Sequence, residues 1–197
     1  MKKFDRLSPE QRKQEIQTAA LALFQQKGFA GTTMENIVQQ VTLSKGGVYR
    51  IYPSTQAILE DLILGGMRLR NAYYEQRVSR EMGEGRPLTL AFLVEMIGDS
   101  LLLYPEISGI YAEFLWEKQR NPRLEALYQQ ILRATVEETD ALIRKYGAQT
   151  LLRPGVLERL TELMNGAVLS LRVLGLEAQF EENKSRICEA ILRILGE

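Results

Sequence analysis

Ile16, Ala19, Ala20, Leu23 and Phe24 recur at i, i+3, i+4, i+7 and i+8. That spacing lines one face of an α-helix and would scatter over both faces of a strand. The segment is also punctuated as a helix. Ser8 is a good N-cap, Pro9 fits the first helical position, Glu10 suits the positive helix end, and Gly28 follows Lys27 as a stop. Similar punctuation returns along the chain, and no stretch alternates apolar and polar residues as a half-buried strand does. The expectation is an all-α fold of about nine helices.

The second and third helices are short. Thr32-x-x-Glu35 reads as a capping box, and Thr33 with Asn36 reads equally well. Met34, Ile37, Val38 and Val41 then face inward. Thr42-Leu43 makes a tight connection, Ser44 caps a helix from Lys45 to about Ile51, and Pro53 ends it. Three helices with the last two joined by a tight turn form the helix-turn-helix plan, here over about residues 33–52. Ser54 caps a long helix reaching about Arg80. Further helices are expected over about Pro87–Leu103, Glu106–Gln119, Asn121–Tyr146, from Arg153-Pro154 to Leu174, and over Phe180–Leu195. Residues 1–53 read as a helix-turn-helix domain and 54–197 as a second helical domain, with the 54–82 helix as connector.

Composition narrows the chemistry. The 197 residues contain no histidine, which removes Ser-His-Asp and Cys-His catalysis and most zinc sites. The scattered carboxylates, Glu137-Glu138 among them, suit solvated helix faces, so no enzyme, cofactor, metal or catalytic residue is expected. Cys188, the single cysteine, reads as a small buried apolar side chain. The opening "MKKFDRLSPE" has cations without an apolar run behind them, so no signal peptide is expected. No apolar run is long enough for a membrane span, and the expected compartment is the cytoplasm. The zero net charge hides a split: residues 1–52 hold eight Lys/Arg against four Asp/Glu, a net +4, and the remainder balances it. A basic end on an acidic body suits a polyanionic partner.

The stretch "TLSKGGVYRIYPS", Thr42 to Ser54, is the basic part that matters most. Each glycine costs about 1 kcal/mol against alanine inside a helix. Lys45 sits at the positive helix end, where a cation is unfavourable unless an anion joins it. Both oddities make sense if a duplex approaches. Gly46 and Gly47 have no side chain to hold a phosphate backbone away, and the first N–H groups favour an anion. Tyr49 can donate to a phosphate oxygen, Thr42 and Ser44 can reach phosphates from the turn, and Arg50 can read a guanine bidentately.

In the order Ala-Ala-x-x-Leu-Phe, Lys-Gly-Phe, Thr-Thr, Ile, Ser-Lys-Gly, Val-Tyr and aromatic-Pro-Ser, residues Glu15 to Leu59 resemble the TetR family of bacterial transcriptional regulators. The later segment "FLWEKQRNPRLEALYQQI" looks like one common version of that family's C-terminal domain. The resemblance implies a dimer on a palindromic operator of double-stranded DNA, most simply a repressor released by a small-molecule effector. It also implies phosphate or base contacts at Thr33, Ser44, Lys45, Gly46 and Tyr49, with Arg50 on the same face. Three positions depart from the pattern. Thr42 replaces the usual turn glycine, Ile51 a polar aromatic, and Thr55 the usual lysine after Pro-Ser. Thr42 is therefore expected to need a less easy backbone. DNA binding is expected to be weaker and less salt-steep than in a typical member. Ser54 and Thr55 keep hydroxyls at the start of the connector.

For the second domain the sequence offers candidates only. An effector site in a helical bundle is apolar with a few polar groups, which nominates Phe92, Met96, Tyr104, Tyr111, Phe114, Trp116, Met164 and Arg172. Glu95 or Glu113 would favour a cationic ligand if turned inward. The helix after Pro154 has a wider apolar surface than one core contact needs. Together with the last helix it nominates Leu160, Met164, Ala167, Leu171, Ile187 and Ile191 for a four-helix homodimer contact. The other readings are a regulator or activator controlled by a partner protein, and a helical adaptor that does not bind DNA.

Overall fold

A computed structural model of the chain describes residues 7–149 and 153–195. Residues 1–6, within the opening stretch on which the signal-peptide expectation rests, lie outside the described residues, as do 150–152 and 196–197. The chain forms two compact units, Met1–Ile63 and Leu64–Glu197.

The first unit holds α1 (Pro9–Lys27), α2 (Met34–Val38), α3 (Lys45–Ile51) and the start of α4 (Thr55–Gly83). Ser8 caps α1, and Gln11 answers it: the Gln11 N–H donates to Ser8 Oγ at 3.2 Å and the Ser8 N–H to Gln11 Oε1 at 2.8 Å. At α2 the ambiguity resolves in favour of Thr33, whose hydroxyl and Asn36 close a reciprocal box. Thr32 is instead buried, with its hydroxyl donating to Gly28 O at 2.9 Å. Helix α2 stops at Val38, so Val41 is half-buried in the turn beyond it. The core is the predicted stripe of Ile16, Ala20, Leu23 and Phe24, joined by Ile37 and Val48. Each large aliphatic or aromatic side chain buried there contributes about 1.5–3 kcal/mol. Asp61 on α4 ties the unit together. It accepts from Gln17 Nε2 at 3.0 Å and Tyr52 Oη at 2.5 Å, and pairs with Lys13 at 2.7 Å.

The second unit comprises the rest of α4, α5 (Leu90–Leu103), α6 (Pro105–Glu117), a 3-10 turn at Lys118–Arg120, α7 (Pro122–Lys145), α8 (Val156–Leu174) and α9 (Glu177–Leu195). Three boundaries differ from expectation for local reasons. Helix α5 starts after Thr89, whose hydroxyl accepts the Phe92 N–H at 3.1 Å, rather than at Pro87. The end of α6 tightens into the 3-10 turn before Asn121 caps α7. Helix α9 begins at Glu177, before Phe180, because Gly175 adopts the left-handed φ of 65° and turns the chain immediately after α8.

One apolar cluster joins α5, α6, α8 and α9 through Val94, Leu101, Ala112, Val168 and Phe180. A second joins α4, α5 and α7 through Tyr74, Val78, Leu93, Met96 and Ile143. The first cluster corrects the proposed dimer set. Leu160, Met164, Leu171 and Ile191 are all 9% exposed or less and belong to the subunit's own core, because α8 turns that face to α5 and α6. Ala167 and Ile187 are half-buried at its edge. The large apolar side chains left outside on these helices, among the described residues, are Leu163, Val173, Leu174 and Ile194.

Candidate DNA-binding surface

Three hydroxyls are placed by the helix starts themselves. Thr33, Ser44 and Ser54 each accept the backbone N–H three residues on, at 3.2 Å, and so cap α2, α3 and α4. A hydroxyl that accepts from a backbone amide still has its own proton to donate, so capping and phosphate binding are compatible. Thr33, Ser44 and Ser54 are exposed, and Thr55 is half-buried.

The glycines of α3 differ from Gly31 and Gly66, while Gly46 shares its open surroundings with Gly109 of α6 and Gly166 of α8. A Cβ at Gly31 would lie 2.4 Å from Lys27 O, and one at Gly66 would lie 2.4 Å from Ile107 Cγ2, so the fold itself excludes side chains there. A Cβ at Gly46 would meet nothing within 4 Å. A Cβ at Gly47 would sit 3.3 Å from Ser44 Oγ, tight but not prohibitive. Packing gives no reason for glycine at 46, although glycine weakens the helix.

The cations of this helix are in two different states. Arg50 is exposed and, among the described residues, makes no hydrogen bond or ion pair. Lys45 is not waiting unpaired for a phosphate. Its Nζ lies 3.0 Å from Glu35 Oε1 and 5.7 Å from the Tyr49 ring centroid. The Lys45 hydrogen bond holds the Glu35 carboxyl below its usual range, and Glu35 in turn raises the Lys45 ammonium. Both side chains are more than half exposed, so water and salt screen the pair and a phosphate can replace the carboxylate. The stretch 42–54 contains no acid; the counter-charge comes from α2, ten residues upstream, which local sequence inspection overlooks.

The turn residue Thr42 is also corrected. No non-glycine among the described residues has positive φ, so Thr42 carries no left-handed strain. Its N–H donates to Glu15 Oε1 at 2.5 Å and its hydroxyl to Oε2 at 3.1 Å. The α1 carboxylate thus secures a turn that needs no glycine, and it occupies the donors of Thr42. Arg12, absent from the predicted set, lines a shallow concavity with Ser44, Gly47 and Arg50. Its place on α1 gave no sequence signal beyond a cation in the basic half.

The geometry is matched by likeness. Residues 16–62 fit the family model described as bacterial regulatory proteins, tetR family. The HTH-type transcriptional regulator YfiR of Bacillus subtilis is 38% identical over 58 residues, 29% of this chain and 28% of that protein. Among solved structures, Salmonella enterica GusR aligns with a TM-score of 0.72 at 18% identity, covering 95% of this chain and 98% of GusR. Thermus thermophilus FadR, a TetR-family repressor in complex with lauroyl-CoA, aligns at 0.63 and 20% identity, with 93% of each chain covered. The N-terminal helix-turn-helix domain is therefore that of the tetR family of bacterial regulatory proteins. The solved structures extend the likeness of fold over the second unit as well.

In that second unit the effector candidates do not converge. Phe92 and Met96 belong to the α4–α5–α7 cluster, while Tyr111 and Met164 belong to that of α5, α6, α8 and α9. Phe114 is fully buried, with its ring 5.7 Å from that of Tyr111. Tyr104 and Trp116 are exposed, and Trp116 carries Arg120 at 5.1 Å from its ring. Arg172 is a brace: it donates to Ser108 Oγ, Leu101 O and Glu177 Oε1 at 2.7, 3.1 and 2.9 Å. Glu95 is exposed and Glu113 half-buried. Cys188 is half-buried beside Gly98, and burial pushes its thiol pKa up. Among the described residues no helix is long and apolar enough to cross a membrane.

Proposed function

We propose that the protein is a transcriptional regulator, a repressor that binds a palindromic operator as a homodimer and leaves it when a small molecule enters the second unit. The observation that carries the DNA reading is the open space at Gly46 beside the exposed Arg50. A helix start stripped of side chains without an internal reason suits close approach to a phosphate backbone. In this reading Ser44, Gly46, Gly47, Tyr49 and Thr33 face phosphates. Lys45 exchanges Glu35 for a phosphate, Arg50 reads a base edge, and Ser54 and Thr55 flank the contact. Arg12 adds a further phosphate contact.

Dimerisation is supported by the apolar side chains on the outside of α8 and α9. Val173, Leu174 and Ile194 are 68%, 66% and 66% exposed, and Leu163 lies on α8 one turn beyond the core residue Leu160. With half-buried Ala167 and Ile187, they make a face that a second copy can cover by pairing two helices with two. Two recognition helices then meet successive major grooves about 34 Å apart. Effector control is supported by a same-fold protein, T. thermophilus FadR, having been solved with lauroyl-CoA.

Selection of bound duplexes from a random pool tests the reading. Enrichment of a two-fold symmetric sequence is expected. Enrichment of no sequence over the starting pool contradicts it.

A further inference from the structure

The second unit contains one guanidinium in an unusual position. Arg70 on α4 has its Nε buried without a hydrogen-bond partner, and among the described residues it is the sole such buried side-chain atom. Its hydrogen bonds run to neutral groups: Nη2 donates to Thr135 Oγ1 at 3.2 Å and to Asn71 Oδ1 at 3.4 Å. Its other neighbour is the Tyr74 ring, 5.7 Å from centroid to Cζ. Thr135 is buried at 8% exposure, so this contact lies at depth on α7. A part-buried cation with neutral partners and one dry donor is costly to keep, because a buried charge calls for a counter-charge.

The surroundings are polar in a way a core does not need. Tyr74 Oη lies 2.9 Å from Ser100 Oγ on α5. Tyr111 on α6 donates to Asn165 Oδ1 at 3.1 Å, and Asn165 on α8 donates to Tyr128 Oη on α7 at 3.0 Å. The Arg70 charge acts on both Tyr74 and Tyr111, pulling their pKa values down against the larger upward push of burial. The next cation, Lys118 over the Tyr128 ring at 4.0 Å, is already paired with Glu125 at 2.8 Å. The site therefore offers one guanidinium without a direct ion pair among phenol, hydroxyl and amide groups, with the Glu138 carboxylate held one residue away on the Asn71 amide.

We propose that Arg70 is the anchor for the carboxylate of an acidic small-molecule effector, with Thr135, Tyr74 and the Tyr111–Asn165–Tyr128 chain as its polar surroundings. The inference rests on the reading of the second unit as an effector domain. One carboxylate accepts along the Nε and Nη2 edge of a guanidinium with two parallel bonds. It would supply the partner that Nε lacks and release the long bond to Asn71. A phosphate monoester, with nearly two negative charges, would find just one cation. Because the counter-charge arrives with the ligand, the liganded arrangement gains an interaction that the empty one lacks, and that differential is what shifts a conformational equilibrium.

The test uses the full-length protein and matched probes: decanoate, 4-phenylbutyrate and 2-naphthoate, each beside its neutral primary amide. Binding is read by calorimetry, and release of the selected operator is read in parallel. At least one acid should bind at least tenfold more tightly than its amide. Arg70→Met should abolish that preference, and Arg70→Lys should weaken it, since lysine keeps the charge but not the paired donors. If Arg70→Met does not fold, Arg70→Lys and Arg70→Gln give the same comparison. Equal binding of acid and amide, binding by none of the acids, or an acid preference that survives these substitutions overturns the assignment. An acid that binds through Arg70 yet leaves the operator occupied supports the assignment and contradicts ligand release instead.

Discussion

The two units handle charge in opposite ways. On the helix-turn-helix, the polar groups are outside and paired loosely, as in Lys45 with Glu35, or unpaired, as in Arg50. In the second unit, Arg70, Thr135, Tyr74 and Tyr111 are drawn inward and arranged around a donor with no partner. Exposed pairs exchange partners at little cost and respond to salt. Interior groups discriminate, because every unmatched donor or charge carries a desolvation cost. The first arrangement suits a polyanion met by many weak contacts, and the second suits one small molecule with a particular shape and charge.

The comparison breaks most readily at the surface that makes two DNA heads act together. Leu174→Glu puts a charge on a side chain that is 66% exposed in the subunit and lies on the face proposed for the dimer contact. The subunit should still fold, and light scattering should report a monomer whose operator affinity falls at least a hundredfold. An unaltered dimer would place the contact elsewhere.

A smaller effect separates Arg50 from Lys45. Arg50→Ala should cost about 1–3 kcal/mol on the selected operator and relax preference at one base pair. Lys45→Ala should weaken all sequences alike and reduce the salt slope by about one phosphate contact per recognition helix. Titrations across several salt concentrations distinguish the two.

The smallest expected change has the opposite sign. Glu35→Gln removes the carboxylate that competes with phosphate for Lys45, so DNA binding should tighten by a few fold at low salt. The gain should shrink as salt rises, as expected for screened exposed charges. Weaker binding after Glu35→Gln would mean that the pair positions Lys45 rather than competing for it.

How much was legible in the sequence follows the same division. Ser8, Ser44 and Ser54 could be read as caps, and the α2 cap narrowed to Thr32 or Thr33, because a cap and its target N–H lie three residues apart. The same locality made α1 and α3 readable. The contacts that changed the picture join distant positions. Glu15 holds Thr42 across 27 residues, and Glu35 holds Lys45 across ten. Arg70 reaches Thr135 across 65. Helix α8 shows why its interface residues were misassigned. Periodicity reveals that it has two apolar faces but not which one its own subunit covers, and the covered face is that of Leu160, Met164 and Leu171. Arg70 itself carries no signal in sequence, where it is one more cation on a long helix.

The central claim is that the glycine at 46 serves DNA and not the fold, and Gly46→Leu tests it most directly. Space around that Cβ is open, and leucine favours helix by most of the roughly 1 kcal/mol that glycine costs. The melting temperature should hold or rise, while affinity for the selected operator falls at least tenfold. A variant that melts lower, or that binds operator as tightly as the parent, would contradict the account.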